Sequence, residues 1–222
     1  MNQDEERTVA VQAGTVSLEG TLAVPRDATG VVLFAHGSGS SRFSPRNQFV
    51  ARALREKGLG TLLIDLLSSS EEAVDEVTRH HRFDIELLAD RLAAAIEWLG
   101  AEGETRELAV GLFGASTGGG AALVAAARAP GRVAAVVSRG GRPDLAGPAL
   151  SKVKAPTLLI IGGSDPLVID LNRDAMAQMS APVQLEIVPG ATHLFEEPGT
   201  LEEVARLATE WFIRHLAVAT RR

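Results

Sequence analysis

RELAVGLFGASTGGGAALVAAARAP, residues 106–130, reads as a strand, a glycine-flanked serine and a helix in immediate succession. Leu108, Val110, Leu112 and Phe113 form a short apolar run, and Ala121 to Ala129 is alanine-rich with high helix propensity. Between them stands Gly114-Ala115-Ser116-Thr117-Gly118. A serine there sits on a sharp turn whose flanking residues must pass close together. Glycine permits that because it has no Cβ. The turn lifts the Ser116 hydroxyl out of the sheet edge and sets the Thr117 N–H at a helix N-terminus, where negative charge is stabilised.

Gly118, Gly119 and Gly120 open this helix although each glycine costs about 1 kcal/mol against alanine in a helix interior. Close packing of the helix start against neighbouring strands is the expected reason. With 22 glycines in 222 residues, a chance G-x-S-x-G around a given serine is on the order of one in a hundred, so the motif needs partners elsewhere. Two phosphate-loop patterns compete for these glycines and fail. A P-loop requires lysine where Gly120 stands, and a dinucleotide fingerprint starting at Gly37-Ser38-Gly39 ends on Arg42.

Strand patterns alternate with helical ones along the whole chain, which predicts one α/β domain over residues 1–222 with a mostly parallel sheet and helices on both faces. A net charge of −6 without a basic cluster argues against a nucleic-acid surface. With no cysteine, disulfides, a thiol nucleophile and cysteine metal sites are excluded. Met1 to Arg7 is polar and acidic, no apolar run reaches about 18 residues, and the expectation is a cytoplasmic protein with no membrane partner.

Val9, Val11, Val16, Leu18, Leu22 and Val24 alternate with polar or small residues as antiparallel edge strands do. Val31 to Ala35 is continuously apolar, as expected of a strand covered on both faces, and ends in His36-Gly37-Ser38-Gly39. A helix is expected from Ser44-Pro45 to a stop at Gly58, followed by a strand at Leu62 to Ile64. Ser68 to Arg82 reads as a long polar loop able to cover part of the site. Asp84 to Leu99 repeats apolar residues at helical spacing. Val133 to Val137 and Thr157 to Ile161 read as buried strands. The Gly- and Pro-rich stretch between them is too short for a helical cap domain. A helix around Leu171 to Met179, a strand at Val183 to Val188 and an amphipathic helix from Leu201 to Phe212 complete the chain.

Three complementary residues fall at the carboxyl ends of strands, and so at one edge of the sheet: Ser116, Asp165 after Gly162-Gly163-Ser164, and His193 after Gly190-Ala191-Thr192. A serine hydroxyl is a weak nucleophile at neutral pH; it needs an imidazole to take its proton and a carboxylate to orient that imidazole. The backbone N–H groups of Ser38 and Thr117 are placed to form an oxyanion hole.

On these motifs, His36-Gly37-Ser38-Gly39, Gly114 to Gly118, Gly162 to Asp165 and Pro189 to His193, the chain resembles the α/β-hydrolase superfamily, and within it the compact, cap-less dienelactone-hydrolase-like group. The resemblance runs from Val31 through the final helix. It implies the α/β-hydrolase fold, Ser116 as nucleophile, Asp165 as orienting acid, His193 as general base, the N–H groups of Ser38 and Thr117 as oxyanion hole, and no cofactor. The name-giving enzymes use cysteine where this chain has Ser116, a departure that bears on the substrate.

Other residues compete for these roles. Asp165 precedes Pro166, so a helix cap is its structural alternative, and Asp170 is the nearest rival acid. His36 is read as holding the turn after it by a hydrogen bond. His80 and His81 are adjacent and cannot both face one ion from a helix, so no metal site is expected. His215, beside Arg214, is expected on a solvated helix face. Arg42 and Arg139 both follow buried strands on the active edge and are candidates to receive a substrate carboxylate. The expected activity is hydrolysis of a small carboxylic ester or lactone at an open, shallow site. Thioester or amide hydrolysis by the same triad, and a non-catalytic binding module, are the alternatives. The oligomeric state is left open.

Overall fold

A computed structural model of the chain describes residues 6–219; Met1 to Glu5 and residues 220–222 lie outside the described residues. Its centre is an eight-stranded sheet in the order β1-β2-β4-β3-β5-β6-β7-β8. The strands are β1 Arg7–Ala13, β2 Val16–Ala23, β3 Val31–Ala35, β4 Gly60–Ile64, β5 Val110–Ala115, β6 Val133–Arg139, β7 Thr157–Gly162 and β8 Val183–Val188. β2 runs antiparallel to both its neighbours, and from β4 to β8 every pairing is parallel.

Parallel strands linked by helices are covered on both faces, and the two faces of β3 show it directly. Val32 and Phe34 join one core, with Val50 and Leu54 of α1 (Pro45–Arg55) and Val204 and Phe212 of α6 (Thr200–Ala219). Val31, Leu33 and Ala35 join the other, with Leu92 and Leu99 of α3 (Ile85–Ala101) and Ala122 and Leu123 of α4 (Thr117–Arg128). Phe34 and Phe113 are register partners on β3 and β5, and their rings stack with centroids 4.9 Å apart. Such a pair adds about 0.5–1.5 kcal/mol to its area burial, and it lies in the two strands whose ends carry the serine and the His36 turn.

Local chemistry sets the helix starts. Ser44 caps α1 by accepting the Asn47 N–H, with Pro45 in the first turn, and Asp84 caps α3 by accepting the Leu87 N–H. Gly58 takes φ +77° in the turn that returns the chain to β4.

Two expectations need correction. Ser68 to Arg82 is not a loop: it holds α2, Ser69–Thr78, and a short 3-10 turn at His81–Phe83. Ser68 accepts the Glu71 N–H while the Glu71 carboxylate accepts the Ser68 N–H, a reciprocal cap that starts a helix in a polar stretch with little apolar periodicity. The helix expected around Leu171 to Met179 is α5, which begins at Pro166 and ends at Met176. Proline at the first helical position needs no N–H donor, so the helix can follow Asp165 directly.

Between β6 and β7 there is only a 3-10 segment, Pro143–Lys152, broken at Gly147; no cap is built there. Among the described residues, no helix is long and apolar enough to cross a membrane.

Candidate active site

Ser116 sits where β5 ends and α4 begins, with φ +51° and ψ −122°, a conformation that costs a non-glycine residue of order 1–3 kcal/mol. The surrounding packing holds it there. A Cβ on Gly114 would lie 2.5 Å from the Gly118 carbonyl oxygen, and one on Gly118 would lie 2.5 Å from the His36 carbonyl oxygen. Gly119 meets the Ser138 hydroxyl and Gly120 the Arg142 carbonyl in the same way. The glycine run is therefore explained by close approach of the helix start to the neighbouring strand ends, as expected. The Ser116 N–H donates to the Arg139 carbonyl at 3.2 Å, and the Ser116 carbonyl accepts from Gly119 and Arg142.

Asp165 and His193 meet. Nδ1 of His193 lies 2.8 Å from Oδ2 of Asp165. Asp165 occupies the cap position of α5 but makes no side-chain cap bond there, so its carboxylate is turned to the histidine instead. The rival Asp170 is exposed and pairs with Arg173 at 3.5 Å. The His193 loop is held by the Thr192 N–H, which donates to Glu197 at 3.0 Å, and by Gly140, whose missing Cβ would sit 3.5 Å from His193 Nδ1. Gly37 likewise backs onto the Ser116 side chain, where an added Cβ would approach the serine Cβ to 3.1 Å. Ser116 Oγ itself makes no hydrogen bond, to His193 or to any other described residue; such bonds are often long in unliganded sites and tighten with substrate.

The two residues expected to supply oxyanion donors are adjacent in space. Thr117 is the first residue of α4, so its N–H has no intrahelical acceptor. The Ser38 N–H donates to Thr117 Oγ1 at 2.9 Å, so in this conformation it is already engaged. Sequence reasoning missed that side-chain link. His36 behaves as expected: Nδ1 lies 2.9 Å from the Gly37 carbonyl and Nε2 accepts the Leu66 N–H at 3.1 Å. Donating through one nitrogen and accepting through the other requires the neutral ring, and burial lowers its pKa.

The two candidate arginines separate. Arg42 is spent: it pairs with Asp65 and with Glu19 at 2.6 Å. Arg139 is buried, with no carboxylate or hydrogen-bond acceptor on its side chain among the described residues. His215 is half-buried against Trp211, ring centroids 4.5 Å apart, rather than solvated, because Trp211 lies one helical turn before it. Beside the His36 turn, α2 walls a cleft of about 610 Å³ whose lining mixes polar Ser40, Asp65, Glu72 and Glu76 with apolar Phe43 and Leu67. No group of three metal-binding side chains occurs among the described residues.

Comparison with known proteins bears on this geometry. Two curated Mycobacterium tuberculosis proteins, from two strains and named provisionally as phosphoribosyl transferases, are 58% identical over 214 residues; the match takes in 96% of this chain and 47% of theirs. The chain thus spans about half the length of the curated relatives it matches. The crystal structure of a dienelactone hydrolase from Anabaena variabilis is 60% identical, with a TM-score of 0.95, and covers 97% of this chain and 100% of its own. Est1E from Butyrivibrio proteoclasticus shares the fold at 15% identity and a TM-score of 0.78, over 93% and 98% of the two chains. The model of the dienelactone hydrolase family matches residues 18–216, from the antiparallel strand β2 into the last turns of α6, and the chain belongs to that family.

Proposed function

We propose that the protein hydrolyses a small carboxylic ester or lactone through an acyl-enzyme on Ser116. One observation carries this reading: a serine held at φ +51° on a strand-to-helix elbow shares its sheet edge with a histidine whose Nδ1 is 2.8 Å from a carboxylate diverted from helix capping. Asp165 fixes the ring so that Nε2 is the free nitrogen. His193 takes the Ser116 proton as Oγ bonds to the substrate carbonyl carbon, then gives it to the departing alkoxide when the ester C–O bond breaks. Water repeats the sequence, His193 taking its proton and returning it to Ser116 as the acid leaves. The Thr117 N–H, free at the start of α4, serves as one oxyanion donor, and the Ser38 N–H joins it by releasing or sharing its bond to the Thr117 hydroxyl.

The name given to the longer mycobacterial proteins is not carried over, because the hydrolase-family match takes in nearly all of this chain. A soluble cytoplasmic setting and a small-molecule partner, without cofactor, complete the proposal. The test is labelling with a fluorophosphonate, together with turnover of p-nitrophenyl esters, acyl thioesters and peptides. Labelling at Ser116, lost in Ser116→Ala, with esters as the preferred substrates is expected. Folded protein that neither labels nor turns over any of the panel overturns the reading.

A further inference from the structure

Asn172 is a fully buried asparagine on α5 whose side-chain amide joins two segments of the chain. Nδ2 donates to the Gly141 carbonyl at 3.0 Å and to the Val168 carbonyl, one helical turn back in α5, at 2.8 Å. Its Oδ1 is buried with no partner among the described residues. A buried carbonyl oxygen without a donor is destabilising, and leucine, with the same branched heavy-atom skeleton, would avoid it. What asparagine supplies there and leucine would not is the tie to Gly141.

Gly141 belongs to the turn after β6, and that turn touches both halves of the candidate site. The Arg139 carbonyl accepts the Ser116 N–H at 3.2 Å, and the Arg142 N–H donates to the Ser116 carbonyl at 3.0 Å. Gly140, at φ +50°, backs onto His193, where an added Cβ would lie 3.1 Å from the histidine carbonyl oxygen and 3.5 Å from Nδ1. Two successive glycines have little stiffness of their own, so the turn depends on what anchors it. Asn172 follows Asp165 by seven residues, two turns along one face of the helix. The helix that presents the acid to His193 thus also grips the turn that holds the Ser116 backbone. We infer that Asn172 is a positioning residue: by tying residues 139–142 to the helix that starts at Asp165, it sets the distance between the Ser116 hydroxyl and the His193 ring without touching substrate. The kinetic consequence rests on the hydrolase reading; the tie itself does not.

The test measures turnover of p-nitrophenyl acetate, the rate of fluorophosphonate labelling and backbone amide exchange by NMR in wild type, Asn172→Leu, Asn172→Ala and Ile169→Val. Ile169 is buried on the same helix in the cluster with Leu159 and Ile161, so trimming it loosens α5 while leaving the tie in place. In Asn172→Leu, kcat and the labelling rate are expected to fall about tenfold or more with KM changed by less than about twofold, the pattern of a misplaced reacting group. The amides of Ser116, Gly140 and Arg142 should exchange faster in the same variant, and Ile169→Val should keep the wild-type kcat. Unchanged kcat, a loss carried by KM, an equal loss in Ile169→Val, or unchanged exchange at those three amides overturns the inference. Should Asn172→Leu not fold, Asn172→Ala removes the same donor without added bulk and carries the comparison. A wild type that neither labels nor turns over an ester removes the hydrolase reading, and the tie then stands or falls on the exchange result alone.

Discussion

Asp165 stands where two uses of one carboxylate compete, since aspartate before proline commonly caps a helix and a carboxylate at a strand end can orient a histidine. From the sequence both uses are available; only the rotamer decides, and it points to His193 while α5 starts without a side-chain cap bond. Replacement by asparagine should therefore separate activity from stability. Asp165→Asn is expected to lower kcat on a p-nitrophenyl ester by about 10³–10⁴, by analogy with other triads, with a change in unfolding free energy of less than about 1 kcal/mol. A loss of stability with little loss of rate would return Asp165 to the role of a cap. Glycine offers a second contrast at this scale. Gly118 has no room for a methyl group because backbone atoms surround it, whereas Gly103 has nothing within 4 Å and an ordinary φ. Gly118→Ala should cost about 3 kcal/mol or more, and Gly103→Ala less than about 0.5 kcal/mol, both read from urea unfolding midpoints. The placement of Ser116, Asp165, His193 and His36 at one edge was legible because each closely follows a strand pattern and has a glycine within three residues of it. The Ser38 to Thr117 link and the isolation of Arg139 were not, because each depends on which side chains of distant segments turn toward each other.

Elements with strong apolar periodicity, α3 and α6 above all, could be read directly, whereas α2 could not. It buries only Asp75 and leaves Val74 and Val77 exposed, so no apolar stripe announces a helix. The S-x-x-E pair at Ser68 and Glu71 was the available signal. What holds α2 is polar: the reciprocal cap, the Glu71 to Arg91 bond at 2.7 Å, and Asp75, which accepts from the N–H groups of His81 and Arg82 and pairs with the Arg82 side chain. A helix fastened at its ends and lacking an apolar face should open without unfolding the sheet. Ser68→Ala should weaken it by about 1 kcal/mol. The expected signature is faster amide exchange confined to residues 69–78, with the protection of β3 and β5 unchanged. Uniformly faster exchange across the sheet would mean that α2 is cooperative with the core.

For the whole molecule, two histidines tie folding to pH. His36 is buried and must stay neutral to accept the Leu66 N–H; burial lowers its pKa, and His215 is lowered by burial and by Arg214. A base whose pKa is lower in the folded chain binds fewer protons there than in the unfolded chain. Stability is then complete above the unfolded value of about 6.5 and declines as pH falls through the window down to the folded value, by at most about 1.4 kcal/mol per pH unit for each such group. The carboxylates act in a lower window. Glu71 is raised by burial but lowered further by its Ser68 hydrogen bonds and Arg91, so its contribution is present above the ordinary carboxylate range and is lost only as pH falls below it. Unfolding free energy from urea titrations should thus decline in two stages, one beginning near pH 6.5 and one below about pH 4.5. In a His36→Asn, His215→Gln double variant the first stage should flatten and the second remain, whatever the substitutions do to stability at pH 8. An undiminished slope between pH 7 and 5 in that variant would mean that neither imidazole is held neutral by the fold.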